Sequence, residues 1–452
     1  MKILIIGAGE LGQMLAERLR MQKAYDLTIV DSSEEELKSI PENLDVMTVL
    51  GDATNVAIMK QAGIDEADML LAVSGDQASN MLACQMGKRF GVKECICRTY
   101  SNDAFSEKDG ITPAFYGIDK VFASPIETLH HTLYVLRHQI VVEHVEFSNP
   151  DATMVTIVID EDSPLKGVKL QDIPDKELLS HIRFAAVVHY RKIVFPHGDT
   201  TLREGDMVYI AGRQDYVDRF LQYASGEKDS KRKLIIIGGT NRMAVVMARE
   251  LINGGAEVRV IGQTKSEGEN ALSQLPEGTR VLAGSTTDKA TLMEAGIKNC
   301  DVYINTEQND ENTILSCILA KRIGAPKVVA VTHKPEYLSI VPTMNVIDCG
   351  FNSTIISVNT VFRLMQLGNF NIDTRLRTVN ADFTEFTIGP KSPLANRMLK
   401  DCGLPKHAVL AMVFRGKEVL APSGTTRFQE GDIIATIATP EAEKELRPFF
   451  PA

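Results

Sequence analysis

The 452-residue sequence has no apolar run that could cross a bilayer. Runs such as Ile3–Ile6 and Leu234–Ile237 fall far short of the roughly 18 residues a membrane helix needs. It has no low-complexity tract, and 44% hydrophobic with 24% charged residues is an ordinary globular balance, which excludes a disordered or fibrous chain. Basic charge is not in excess: 49 Lys and Arg against 59 Asp and Glu give a net charge of −10. The resulting pI near 5.5 argues against a nucleic-acid-binding protein. The seven cysteines are scattered without metal-ligand spacing, and no set of four convergent zinc ligands stands out, so they read as reduced core thiols and no metal is expected. Met1-Lys2-Ile3-Leu4 enters a strand-like run with no cleavable signal, so a cytosolic protein is expected.

What is present is a duplication. Lys2-Ile-Leu-Ile-Ile-Gly7 returns 231 positions later as Lys233-Leu-Ile-Ile-Ile-Gly238, and Ala62-Gly63-Ile64 returns as Ala295-Gly296-Ile297. Ser163-Pro164-Leu165 reappears as Ser392-Pro393-Leu394. Pro196-His197-Gly198-Asp199-Thr200 with Glu204-Gly205-Asp206 reappears as Pro422-Ser423-Gly424-Thr425-Thr426 with Glu430-Gly431-Asp432. The charged stretch from Gly226 to Lys233 separates the halves and reads as an exposed linker.

Each half divides again. Strands at Ile3–Ile6, Leu27–Val30, Val46–Leu50, Met69–Val73, Cys95–Arg98 and Val121–Ala123 alternate with helical patterns. Those patterns lie near Leu11–Met21, Glu34–Ile40, Val56–Ala62, Gln77–Phe90 and Asp103–Lys108. This alternation predicts an α/β fold with a Rossmann-like, doubly wound parallel sheet. A helical stripe over Ile126–His138 follows the last strand, has no sheet of its own to cover, and is expected to pack on a partner subunit. Beyond Val141 come short β-type runs, Met154–Ile159, Phe184–His189, Lys192–Phe195 and Met207–Ala211, with one helix at Val168–Asp172. They describe a small α+β lobe near the lower size limit for independent folding, which is expected to dimerise. The expected domains are 1–140, 141–226, 232–370 and 371–452, the first and third being Rossmann-like.

The run Gly7-Ala8-Gly9-Glu10-Leu11-Gly12 follows the first strand and opens the first helix. Gly7 permits the tight turn, Gly9 lets backbone approach a pyrophosphate, and Gly12 allows close helix–strand packing, with phosphates on the helix N-terminus. Asp31 ends the second strand, where a carboxylate accepts from ribose hydroxyls and repels a 2′-phosphate. NAD or an adenine nucleotide is therefore favoured over NADP. Asp52 ends the third strand in a Gly-Asp turn, Ser74-Gly75 ends the fourth, and Arg98 ends the fifth as a candidate phosphate ligand, all at the carboxyl edge where such sheets bind ligands. In the second half the repeat offset places Thr240 at the Gly9 position and Met243 at Gly12. It places Gly262 at Asp31, Ser285 at Asp52 and Val331 at Arg98. One working nucleotide site per chain is expected.

The duplicated order of Rossmann module then β-rich module, with GAGELG, Asp31, GDAT and Arg98, resembles the peripheral regulatory subunits of Trk-type bacterial potassium uptake systems, built from tandem KTN/RCK units. The resemblance implies a cytosolic, homo-oligomeric gating ring, expected as a tetramer, peripheral at the inner face of the membrane and bound to a membrane-embedded potassium transporter subunit. It implies NAD(H) and ATP or ADP as ligands, with Gly7 to Leu11, Asp31, Ser74 and Arg98 as contacts. One departure is Ser74-Gly75-Asp76, where the family commonly has Asn after the first residue.

A rival reading is an NAD-dependent oxidoreductase, which needs a proton-transfer group facing the nicotinamide. No such residue stands out: His130, His131 and His138 read as helix-surface or interface residues, and Glu34-Glu35-Glu36 as a solvated helix face. No catalytic residue is assigned. Regulation of a potassium/proton antiporter is a closer variant of the first reading.

Overall fold

The computed structural model describes the chain except residues 22–24, 139, 190–191, 226–233, 335–336, 338–345, 366–373, 376–380, 406 and 452. The charged stretch between the halves and the expected boundary at 370–371 lie outside the described residues. Strands β1 (Lys2–Ile6), β2 (Asp26–Asp31), β3 (Met47–Leu50), β4 (Met69–Ala72), β5 (Glu94–Thr99) and β6 (Lys120–Ala123) form one parallel sheet in the order β3-β2-β1-β4-β5-β6. They alternate with helices α1 (Glu10–Met21), α2 (Glu34–Lys38), α3 (Val56–Gln61) and α4 (Gln77–Phe90). The run Ile3-Leu4-Ile5-Ile6 is buried throughout because both sheet faces are covered. Ile3 and Ile5 enter one core layer with Leu11 and Leu15 of α1, and Leu4 and Ile6 enter the other with Met59 of α3.

The crossover helix α5 (Ser124–Arg137) leads to an antiparallel lobe of β7 (Val141–Glu146), β8 (Ala152–Val158), β9 (Ile182–His189), β10 (Lys192–Val194) and β11 (Met207–Arg213), ordered β10-β9-β11-β8-β7. Helix α6 (Lys176–His181) precedes β9, and α7 (Gln214–Ser225) closes the lobe.

The second half repeats the plan. Its parallel sheet is β14-β13-β12-β15-β16-β17, built from β12 (Leu234–Gly238), β13 (Glu257–Gly262), β14 (Arg280–Ala283), β15 (Val302–Asn305), β16 (Lys327–Thr332) and β17 (Cys349–Asn352). Its helices are α8 (Arg242–Asn253), α9 (Lys265–Leu272), α10 (Lys289–Ala295), α11 (Asp310–Ile323) and the crossover helix α12 (Ser353–Met365). The last lobe comprises β18 (Thr374–Arg375), β19 (Asp382–Thr387), β20 (Ala408–Arg415), β21 (Glu418–Leu420), β22 (Ile433–Ala438) and α13 (Pro440–Leu446). The expected fold class, two doubly wound sheets each followed by a small α+β lobe, is the one observed.

Several local expectations are corrected. Asp103–Lys108 is no helix: the segment makes 3₁₀ turns at Asn102–Ala104 and Glu107–Asp109, and Gly110 stops the second in the left-handed region at φ 73°. Val168–Asp172 contracts to a 3₁₀ turn at Leu170–Asp172. The sequence reading missed β7, α6 and α7, although Val217, Phe220, Leu221 and Ala224 bury one helical face at the spacing of an amphipathic helix. The repeated Glu-Gly-Asp motif is structural. Gly205 and Gly431 turn the chain at φ 80° and 86°, and the following Asp206 and Asp432 accept the backbone N–H of Arg203 and Gln429 at 2.8 Å each.

The two halves exchange their crossover helices. Leu129, Val135 and Leu136 of α5 share a core with Met243, Met247 and Leu251 of α8. Val358, Val361, Phe362 and Met365 of α12 pack into the first sheet's layer beside Leu11, Leu15 and Leu19 of α1. The two crossover helices also touch directly, Ser357 Oγ donating to Ser124 Oγ at 2.8 Å. Buried Lys327 on β16 donates to the Val135 and Val141 carbonyls at 2.8 and 3.3 Å, placing an ammonium where α5 ends and its dipole is negative. Lys120 on β6 donates to Leu364 O at the end of α12. The small lobes also pair within the chain: Phe147 meets Phe383 and Phe414 edge-on at 5.1 and 5.2 Å. The expected partner of α5 and of each small lobe is thus the other half of the same chain.

Phe362→Ala removes a ring from the layer over the first sheet and is expected to cost about 3–5 kcal/mol. Urea unfolding of the full chain measures this, and an unchanged midpoint would remove α12 from that core.

Candidate nucleotide-binding cleft

The first sheet's carboxyl edge is built by the turn after β1. Gly7 adopts φ +106°, and a Cβ there would lie 2.7 Å from Ser74 Cα, so the turn abuts the end of β4. A Cβ on Gly12 would sit 1.9 Å from Gly7 O, which makes this glycine a packing requirement of the helix–strand contact. Gly9 is different: a Cβ there would meet nothing within 4 Å. Lacking a side chain, Gly9 leaves the α1 N-terminus without a side-chain cap and opens the backbone to the cleft.

Asp31 ties this turn to the end of β2. One carboxylate oxygen accepts Ala8 N–H at 2.7 Å and the other accepts Ser33 N–H at 2.8 Å. Ser74 is held by a residue that the sequence reading missed, Asn80 on α4. The fully buried Asn80 carboxamide oxygen accepts from Ser74 N–H at 3.0 Å and Ser74 Oγ at 2.7 Å, and its NH₂ donates to Ser74 O and Arg98 O at 3.1 Å each. Asn80 thus joins the ends of β4 and β5 in a cleft where the segment after β4 carries no asparagine of its own.

Arg98 points under this edge. One terminal nitrogen donates to Val73 O at 3.3 Å, while its Nε is buried with no hydrogen-bond partner. Burial pushes the guanidinium below its ordinary value. A buried cationic donor left unsatisfied beside an uncapped helix N-terminus and an open glycine cradle fits an anionic ligand. The structure therefore brings Gly7, Ala8, Gly9, Asp31, Ser74 and Arg98 together. The other expected residues differ in burial and in what they bond. Leu11 lies in the core beneath the turn, Glu10 is exposed at the first helical position, and Gly75 is exposed, its carbonyl accepting from Tyr100 OH. Asp52 is exposed and bonds its own turn, accepting from Thr54 N–H and Oγ at 2.8 Å each, which holds its carboxyl below the ordinary range.

The second cleft is filled from within. Strand pairing corrects the repeat alignment by one residue at the turn: Gly239, at φ +103°, takes the place of Gly7, and both donate to the end of the neighbouring strand at 2.9 Å. Asn241 therefore replaces Gly9, and Ala244 replaces Gly12. The Asn241 side chain caps α8, accepting Ala244 N–H at 2.9 Å, and donates to Thr306 O. Thr240 occupies the space of the lost carboxylate, its Cγ2 lying 2.7 Å from where a Cβ on Gly262 would stand. Glu307 replaces Ser74 and is buried, with one carboxylate oxygen accepting from Thr286 Oγ1 at 2.8 Å and the other without a partner. A buried carboxylate at the foot of the turn repels phosphate.

The second half instead reaches the first cleft. Arg242, at the start of α8, lies 4.1 Å over the ring of Tyr100, whose hydroxyl holds Gly75. Close by, the Asp76 carboxyl is kept low chiefly by the Ser79 hydroxyl and amide, with a smaller contribution from Arg242. This contact between halves was not visible in either half's motif.

Comparison with known proteins agrees with this architecture. The TrkA-N domain model matches residues 3–121 and 235–352, and the TrkA-C domain model matches 154–225 and 383–450. A Trk system potassium uptake protein TrkA homolog 1 of Methanosarcina mazei is 28% identical, with 100% of both chains covered. The Trk system potassium uptake protein TrkA of Halomonas elongata is 28% identical over 96% of this chain and 94% of its own, and that of Vibrio alginolyticus is 26% identical over 100% of both. Among solved structures, the GsuK RCK domain superposes with a TM-score of 0.61 at 15% identity, covering 99% of this chain and 94% of that one. The GsuK channel bound to NAD gives 0.61 at 16%, covering 99% and 78%. With each module matched twice over most of its length, the chain belongs to the TrkA-N/TrkA-C family.

Proposed function

We propose that this chain is the cytoplasmic, nucleotide-responsive regulatory subunit of a Trk-type potassium uptake system, controlling a membrane-embedded potassium-translocating subunit and assembling with copies of itself into a ring. The observation that carries this reading is the asymmetry of the two clefts: one has an open glycine turn and an unsatisfied arginine, the other is closed by its own side chains. The names of the full-length relatives support the transport role. Among the described residues no helix is long and apolar enough to cross a membrane, so the translocation path is assigned to a partner.

NAD(H) and ATP or ADP are the proposed ligands. Their phosphates would lie against the α1 N-terminus and Arg98, and Asp31 would face the ribose, where its charge disfavours a 2′-phosphate. Arg242 gives the second half a cation at the mouth of the same cleft. A regulatory rather than enzymatic role is supported by the polar groups themselves. Asp31, Ser74 and Asn80 are engaged in holding strand ends together. Helix α1 provides the route outward. Its N-terminus faces the cleft, while its other end packs on α12, where Arg18 donates to Asn359 at 2.9 Å. A ligand acts along this route only if it binds the conformations of the ring with different affinities.

Three measurements test the reading. Calorimetric titration of the full chain should give one NADH, ATP or ADP per chain and much weaker NADPH. Two ligands per chain would overturn the closed second cleft, and none would overturn the nucleotide role. Gly9→Ala should change stability by less than about 1 kcal/mol because its Cβ meets no atom, yet weaken NADH by roughly tenfold or more by filling the cradle. Gly12→Ala should unfold the first domain at lower temperature, and equal behaviour of the two variants would contradict the assignment. Arg242→Ala should weaken ATP more than adenosine, and equal losses would place Arg242 outside the phosphate site.

A further inference from the structure

We propose that the first half carries a zinc site between its crossover helix and the first strand of its small lobe, with His131, His144 and Glu146 as the protein ligands. Their ligating atoms all lie within 4.8 Å of one another. His131 comes from α5, while His144 and Glu146 occupy alternate positions of β7 and so share one face of the strand. In the sequence the three are spread over two elements of different period, which is why no ligand spacing betrays them.

His144 needs a partner. Its Nδ1 is buried and has none, a state that native interiors seldom tolerate. Its ring is fixed by parallel stacking on Tyr134, centroids 4.1 Å apart at 7°, and Tyr134 OH is anchored to Asp218 at 2.7 Å. Two imidazoles and one carboxylate form a three-ligand zinc set that leaves a fourth position for water. Calcium and magnesium, which demand oxygen donors, fit it poorly.

The competitor is internal. Arg363 of α12 pairs with Glu146, and its other arm reaches Thr360 Oγ1 at 3.2 Å and Glu127 at 3.4 Å. A cation that takes Glu146 leaves Arg363 with those two partners. Zinc at this point would clamp α5 to β7, the joint between the large and small lobes, and loosen the tie to the second half. With side chains 12% and 29% exposed, His131 and Glu146 make this a part-buried cluster.

Titration of the metal-free full chain with ZnCl₂ tests the proposal. One Zn²⁺ per chain is expected, lost in His131→Ala and His144→Ala, and tightened roughly tenfold or more in Arg363→Gln, which removes a neighbouring positive charge. Because an alanine variant can fail to fold, Co²⁺ is also added to the unaltered chain. The visible bands of a four-coordinate nitrogen–oxygen site, with no thiolate charge-transfer band, are expected. Absence of binding, unchanged binding in folded His144→Ala, or a thiolate band would each overturn the site.

Discussion

The exchange of crossover helices is the constraint on which the rest of the molecule depends. After β6 and β17 each parallel sheet is complete, and the helix that follows has an apolar face with no layer of its own half left to cover. In this chain α5 closes over α8, and α12 over α1. The exchange is fixed by polar contacts as well as by apolar area. Buried Lys327 and part-buried Lys120 meet the last carbonyls of the partner half's helix, where an unpaired acceptor would be costly. Neither half therefore owns a finished core, which gives the second half a structural role whatever residues stand at its own sheet edge.

The differences between the two turns are matched locally. Where the first half has small Ala8 beside Asp31, the second has larger Thr240 beside Gly262, so one gap is filled from the opposite wall. Where Gly9 leaves α1 uncapped, Asn241 caps α8. An uncapped helix N-terminus beside a buried, unsatisfied arginine is a local deficit that a ligand can remove; a capped one is not. The first cleft is thus the one of the pair whose unmet group is a cationic donor, which an anion can satisfy.

Much of this was legible in the residues. The period-two and helical patterns placed most strands and helices of the first half, and the repeated motifs exposed the duplication and the points where the second copy departs from the first. The misses have specific causes. Aligning the halves on their first shared glycine put the second turn one residue out of register, because β12 extends through Gly238 where β1 stops at Ile6. The α7 stripe was readable but followed directly on a strand. Leu11 fell inside a glycine-rich motif, yet its side chain serves the core. Asn80, Arg242 and the His131–His144 pair make their contacts between different secondary-structure elements, and no single-segment pattern encodes such contacts.

The same geometry says how a signal would travel. A ligand at the α1 N-terminus touches an element whose opposite end is packed under α12, and its phosphates would face Arg242 on α8, the helix that α5 covers. Both crossover helices are therefore one contact away from the cleft, and both meet at Ser124 and Ser357. Glu127, Glu146 and Arg363 lie along the same seam, joining the first small lobe to the second half through ionic contacts at the rim of an apolar interface. Ion pairs of this part-exposed kind contribute little net stability and can be exchanged at small cost, whereas the apolar layers around them cannot. Rearrangement should therefore follow the ionic seam, with the shared cores moving as rigid bodies on either side of it.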